Sequence, residues 1–295
     1  MITAVHLCTC GFFIDGDGSN GLSLSVKTGI GVDLLMKKNT KRRIILFALG
    51  LVVALCAGYL LNIFVVQPAQ IQEDIRELKS IRAEPVPVNS QTTHTNAKPN
   101  VQKKTQISSF ERMQKVHRDI KGWLTVPGTN IDYPVLQSSK SQPDYYLHRN
   151  YKKHYREAGS LYLQYDCKPQ ISRNSVIYGH HMLYDAMFTE LTKYNYFSFW
   201  KTHQSFFYED ISGKHSYEIF AVLHVSPDHF QFNRTQFADD TDYARFLSAL
   251  QSRSIYKTGM SVTAKDKIMM LVTCSYEQRN GRTVVIGKLI KGGQN

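Results

Sequence analysis

Cysteine is scarce in this chain of 295 residues: there are five, which excludes a small scaffold held together by disulfides. Eighteen glycines and nine prolines are too few for a collagen-like repeat. Acidic residues are also in short supply, 24 Asp+Glu against 36 Lys+Arg, which leaves a formal net charge of +12. No basic stripe or nucleic-acid recognition motif accompanies that charge. Its dispersal fits a protein working beside an anionic membrane or cell wall rather than on nucleic acid. What the chain does have is apolar and aromatic material, 42% and 12% of residues, so it is not a disordered tail. No internal repeat is visible.

The longest apolar run is Ile44 to Val66, IILFALGLVVALCAGYLLNIFVV, without a charge in 23 residues. As a helix it would rise about 35 Å, enough to cross a hydrocarbon layer of roughly 30 Å. Lys37, Lys38, Lys41, Arg42 and Arg43 crowd its amino-terminal side, and the first charge beyond it is Glu73. The positive-inside rule then predicts a cytoplasmic amino terminus with everything after Gln67 outside. The run is too long for an ordinary signal-peptide core and no small-x-small cleavage site follows, so an uncleaved anchor is expected. Residues 1–35 fit neither an anchor nor a domain, whereas Met36 is followed at once by KKNTKRRIILF. We therefore expect an overextended start over 1–35, a basic cytoplasmic segment at 36–43 and an anchor at 44–66. Cys8 and Cys10 form a C-x-C pair without the further ligands that zinc requires.

Residues 67–106 read as a stalk, a short helical stretch IQEDIRELKSIR followed by a polar segment with three prolines and no apolar period. From residue 107 to the end the pattern is that of a folded domain. ISSFERMQKVHRDIKGWL places Phe110, Met113, Val116 and Ile120 at helical spacing, with Ser109 as its cap. Six β-rich segments follow: IDYPVLQ, SLYLQYD, SVIYGHH, HSYEIFAVLHV, KIMMLVTCSY and RTVVIGKLI. Helical intervals are expected over Met187–Tyr208 and Thr241–Ser252, the second with Tyr243, Phe246, Leu247 and Leu250 on one face. The fold class is mainly β, a barrel or sandwich with inserted helices.

Only Cys167 and Cys274 lie beyond the anchor. One reading is a disulfide between them. The other is a nucleophile at Cys274, which ends an apolar strand where a rigid backbone presents a side chain to a cleft. A thiol is little ionised at neutral pH and needs a base or cation beside it. His180 ends the strand SVIYGHH after Gly179, which would let the chain turn. His181 follows, and neighbours on an extended chain face opposite ways, so only one of the two can face Cys274. Arg279 and Arg282 flank the turn QRNG, a predicted hairpin that returns Arg282 to the neighbourhood of Cys274, where a cation could stabilise an oxyanion. No acidic cluster has the ligand spacing of a calcium loop, a His-His-Cys zinc site lacks a fourth ligand, and no cofactor or metal is expected.

Taken together, GWLTVPGTNIDYPVLQ, GSLYLQYD, SVIYGHHM with a following MFTEL, and KDKIMMLVTCSYE…GRTVVIGKLI resemble the sortases, cell-surface cysteine transpeptidases of Gram-positive bacteria, and among them class B. The resemblance covers about five-eighths of the chain, from Ser108 to Lys291. The family's T-L-x-T-C signature reads Met270-Leu271-Val272-Thr273-Cys274 here, with Met for the first Thr. The helix from Thr241 looks like the one that distinguishes class B from class A. The resemblance implies an eight-stranded sortase barrel with peripheral helices, Cys274 as nucleophile, His180 as general acid/base and Arg282 as the residue that orients substrate and stabilises the oxyanion, with Arg279 as its competitor. It further implies Tyr178, Thr273, Phe232 and Asn233 as groove residues, a secreted protein with an Asn-Pro-x-Thr type sorting signal as substrate, and a peptidoglycan amine as acceptor. A hydrolytic thiol peptidase and a non-catalytic surface receptor or adhesin are the rival readings.

Overall fold

The computed structural model describes residues 38–83, 109–275 and 280–291. Residues 1–35 with Cys8 and Cys10, the later part of the segment read as a stalk, and Arg279 lie outside the described residues. The chain divides into two compact units, Met1–Ala54 and Leu55–Asn295. Helix α1 (Lys38–Leu61) begins in the first and continues into the second. It is followed by a π-helical turn, Asn62–Val66, and by α2 (Gln67–Ala83). Within the run Arg42–Ala83 lies a stretch long and apolar enough to cross a membrane. Its side chains from Ile44 to Asn62, Phe47 and Leu55 among them, are exposed.

Eight strands close into a barrel in the order β1-β2-β3-β4-β7-β8-β6-β5. They are β1 (Ile120–Thr125), β2 (Asp132–Leu136), β3 (Leu161–Leu163), β4 (Asn174–Tyr178), β5 (Ser205–Asp210), β6 (Gly213–Val225), β7 (Ile268–Ser275) and β8 (Gly281–Lys291). Pairing is parallel between β2 and β3 and between β4 and β7, and antiparallel elsewhere. Closure leaves no unpaired edge. Three short helices join α2: α3 (Ser109–Val116), α4 (Phe197–Thr202) and α5 (Asp240–Ser252).

Two strands depart from the sequence expectation. The helix opening the domain stops at Val116, and Ile120, placed on it by spacing, is the first residue of β1. Phe110 and Met113 do bury, but Val116 is 50% exposed, so the helical face runs out before Ile120. The interval Met187–Tyr208 is helical only in part: a 3-10 turn Thr189–Asn195 and α4 give way to β5, whose SFFYED alternates strictly between inside and outside. A period of two over six residues overrides the helical reading.

The core has two compartments. One fills the barrel and reaches α2 and α3, and includes Trp123, Tyr208, Met269, Leu271 and Val285. The other lies outside the strands, where Tyr243, Phe246, Leu247 and Leu250 of α5 cover Val176, Met270, Val272, Val284 and Ile286. β7 is therefore buried on both faces, which explains its unbroken apolar run. α5 is capped by Asp239, whose carboxylate accepts the Asp242 N–H at 2.7 Å. α2, inside the segment read as a stalk, lays Ile71, Ile75 and Leu78 into the barrel-side core.

Candidate active site

Register decides which side chains share a face. On β7, Met270 and Val272 face α5 while Met269 and Leu271 face the barrel interior. Alternation then carries Cys274 to the α5 side, beyond the end of the helix's cover, and turns Thr273 inward. Across the antiparallel ladder Cys274 pairs with Arg282, and Thr273 with Thr283. Directly opposed residues have Cβ atoms about 5 Å apart, so thiol and guanidinium stems stand side by side. On the other flank, parallel pairing matches Tyr178 of β4 with Val272, and the Gly179 N–H reaches the Val272 carbonyl at 3.1 Å. Two residues beyond that matched pair come Cys274, still on β7, and His180, past the end of β4. The register thus sets thiol and guanidinium on adjacent strands at one end of the barrel, the end at which β4 gives way to His180.

Gly179 serves close packing. A Cβ there would stand 2.4 Å from Leu161 Cδ2 and 2.7 Å from Phe188 Cδ2. His180 itself is half-buried, and its Nε2 donates to the Leu147 carbonyl at 2.8 Å. A carbonyl only accepts, so Nε2 keeps a hydrogen in both charge states, and Nδ1 is the nitrogen that exchanges a proton. Burial pushes the imidazole below its ordinary 6.5, and the nearby His148 adds to this, while the Leu147 carbonyl and Glu157 act in the opposite sense. His181 takes another partner, donating from Nδ1 to the Cys274 carbonyl at 3.1 Å. The two histidines thus divide: one ring is anchored on the Leu147 carbonyl, and the other on the backbone of Cys274.

Cys274 is partly exposed and Cys167 is buried, and both are thiols, so the disulfide alternative is not realised. The Cys167 thiol donates to the Asn174 carbonyl at 3.8 Å, and burial pushes its pKa up to about 12, which keeps it protonated and inert.

The four expected groove residues separate into two pairs. Tyr178 and Asn233 form one polar cluster: Asn233 Nδ2 donates to the Tyr178 hydroxyl at 3.0 Å, and that hydroxyl donates to Gln164 Oε1 at 2.8 Å. Tyr162 stacks on Tyr178 with ring centres 5.4 Å apart and is close enough to feel charge on Cys274. Thr273 and Phe232 are each 2% exposed. Thr273 points into the barrel because it alternates with Cys274, and Phe232 is part of the core under α5, so neither lines an open groove. Sequence reasoning missed Gln164, Tyr162 and the turn Tyr145–His148. The alternation in GSLYLQYD carried a signal for the first two, while the 3-10 turn has no period to read.

A model of the sortase domain matches residues 124–290. The chain belongs to the sortase family. Sortase B of Listeria monocytogenes is 39% identical over 181 residues, 60% of this chain and 72% of its own. The crystal structure of sortase B from Bacillus anthracis in complex with AAEK1 has 30% identity and a TM-score of 0.62, and the match covers 77% of this chain and 99% of that one. A Staphylococcus aureus sortase B–substrate complex has 28% identity and a TM-score of 0.60, covering 76% and 94%. The resemblance to class B is thereby shown, and membership makes this sortase a cysteine transpeptidase. Its barrel is the expected eight-stranded one.

Proposed function

We propose that this sortase is held in the cell membrane by residues 44–66, amino terminus inside and catalytic domain outside, and joins a secreted protein to peptidoglycan through a thioacyl intermediate on Cys274. The reading is supported above all by the register that sets Cys274 opposite Arg282. The Cys274 thiolate attacks the carbonyl carbon of a Thr in the sorting signal. The C–N bond breaks, and the leaving amine takes the proton from His180 Nδ1. An amine of peptidoglycan or its precursor then attacks the thioester, returns its proton to Nδ1 and releases the thiolate, so that one amide is exchanged for another. Arg282, on the same face, faces the developing oxyanion, where a fixed cation in a water-poor site lowers the barrier by several kcal/mol in typical cases. Tyr178 and Asn233, locked together with Gln164, form the wall against which the peptide is oriented. Residues 67–83 belong structurally with the catalytic unit, since α2 lays Ile71, Ile75 and Leu78 into its core.

The test is mass spectrometry of the protein incubated with sorting-signal peptides of the Asn-Pro-x-Thr type. A peptide fragment ending at Thr should appear on Cys274, and added amine should convert it to a ligated product. Cys274→Ala should abolish both while keeping the melting temperature. An adduct that only water can resolve, whatever amine is supplied, would favour a hydrolytic peptidase.

A further inference from the structure

The carbonyl that holds His180 is itself held. Leu147 ends no strand or long helix; it lies in the 3-10 turn Tyr145–His148. A second turn, residues 156–160, is laced to the first by three hydrogen bonds. The Arg156 N–H donates to the His148 carbonyl at 3.1 Å, the Ser160 N–H to the Tyr146 carbonyl at 3.1 Å, and His148 Nδ1 to the Glu157 carbonyl at 3.2 Å. Where the turns cross, Gly159 takes φ +56°, and a Cβ on it would stand 2.0 Å from the Leu147 oxygen, 2.6 Å from the Leu147 carbonyl carbon and 2.7 Å from the Tyr146 oxygen. All three contacts are to backbone, which cannot rotate out of the way as a side chain does. The bare Cα of Gly159 therefore sets the height of the Leu147 carbonyl. His148 closes the cradle from the other side, its ring 5.1 Å from that of His180.

We propose that Gly159 is a positioning residue for His180: together with the His148–Glu157 tie, it holds the Leu147 carbonyl where that oxygen captures the Nε2 hydrogen, and so reserves Nδ1 for proton transfer. This rests on the reading of His180 as the general acid/base. Neither Gly159 nor His148 touches the reacting atoms; both act through the Leu147 carbonyl, by fixing the tautomer.

The experiment compares the wild-type chain with Gly159→Ala and with a control, Gly259→Ala. Gly259 has φ +78° and nothing within 4 Å of the added Cβ, so the control carries the left-handed backbone strain without the collision. Imidazole 15N shifts of His180 should show hydrogen on Nε2 and a bare Nδ1 at alkaline pH in wild type and control, and a mixture of tautomers in Gly159→Ala. Transpeptidation kcat should fall about tenfold or more in Gly159→Ala, as expected for a misplaced catalytic group, with KM little changed and a displaced pH profile. His148→Phe, which cuts the tie to Glu157 at a partly exposed site, should shift tautomer and profile in the same direction by less, and decides the matter if Gly159→Ala fails to fold. An unchanged tautomer and pH profile in the folded variants would overturn the proposal. Retained transpeptidation in His180→Ala would instead overturn the acid/base reading, while the tautomer measurement would still report on the cradle.

Discussion

At the scale of single residues, the proposed site combines a partly exposed thiol with an imidazole whose burial disfavours its cation. The pH consequence has a definite sign. The unfolded chain protonates His180 near 6.5, the folded one only at a lower pH, so the unfolded state holds more protons as pH falls through 6.5. Stability should therefore decline below that point and level off once the folded ring also titrates. Urea unfolding between about pH 7.5 and pH 5.5 should show this slope, and His180→Gln should reduce it; His117, also depressed by burial, leaves a remainder. Thr273 offers a second test at this scale. Its hydroxyl and that of Thr283 are buried without a hydrogen-bond partner, so Thr273→Val should leave stability equal or higher by thermal melting. Activity should persist too; a collapse of kcat/KM with stability intact would give the hydroxyl a role in catalysis that its inward direction denies it. The pairing of Cys274 with Arg282 was legible in the sequence because a strand end and a tight hairpin leave marks. The direction of Thr273 was not: KIMMLVTC is apolar on both faces, so nothing in the order of its residues says which parity meets the cleft.

Among the elements, α2 deserves the heaviest weighting. Beyond Ile71, Ile75 and Leu78, it pairs Lys79 with Asp132 at 2.5 Å and Glu77 with Lys152 at 2.5 Å, and Arg82 with Glu209, while Asp74 accepts from Asn150 at 2.8 Å. Partly exposed ion pairs contribute little each, so the apolar contacts carry the docking. Leu78→Ala should cost about 2–5 kcal/mol in chemical denaturation. Asp239→Ala, which removes the cap of α5, should cost only about 1 kcal/mol and leave catalysis intact. The helical spacing of α5 could be read in advance because its polar face meets water and its apolar face meets the sheet. β1 and β5 could not, since IKGWLT directly continues a helical pattern and SFFYED follows an aromatic helix without a glycine or proline to mark the change. Only tertiary pairing, β1 to β2 and β5 and β5 to β6, settles them as strands.

For the molecule as a whole, stability owes nothing to disulfides among the described residues, where Cys56, Cys167 and Cys274 are all thiols. A fragment beginning at Gln67 should melt at the same temperature with and without reductant. A lower Tm under reduction would mean that Cys167 and Cys274 had met after all. The closed barrel is what fixes the proposed site, because Cys274 and Arg282 sit on strands that the ladder holds in one register.

That order of strands also governs timing during synthesis. β8 comes last of the eight along the polypeptide, yet it must slot between β7 and β6. A nascent chain still missing it has an open sheet, no partner for the sulfur-bearing strand on that side and no guanidinium. On the proposed reading, a chain in which β8 has not yet slotted into place therefore holds its thiol without the cation that faces it, and a truncation ending before Gly281 should form no thioacyl adduct.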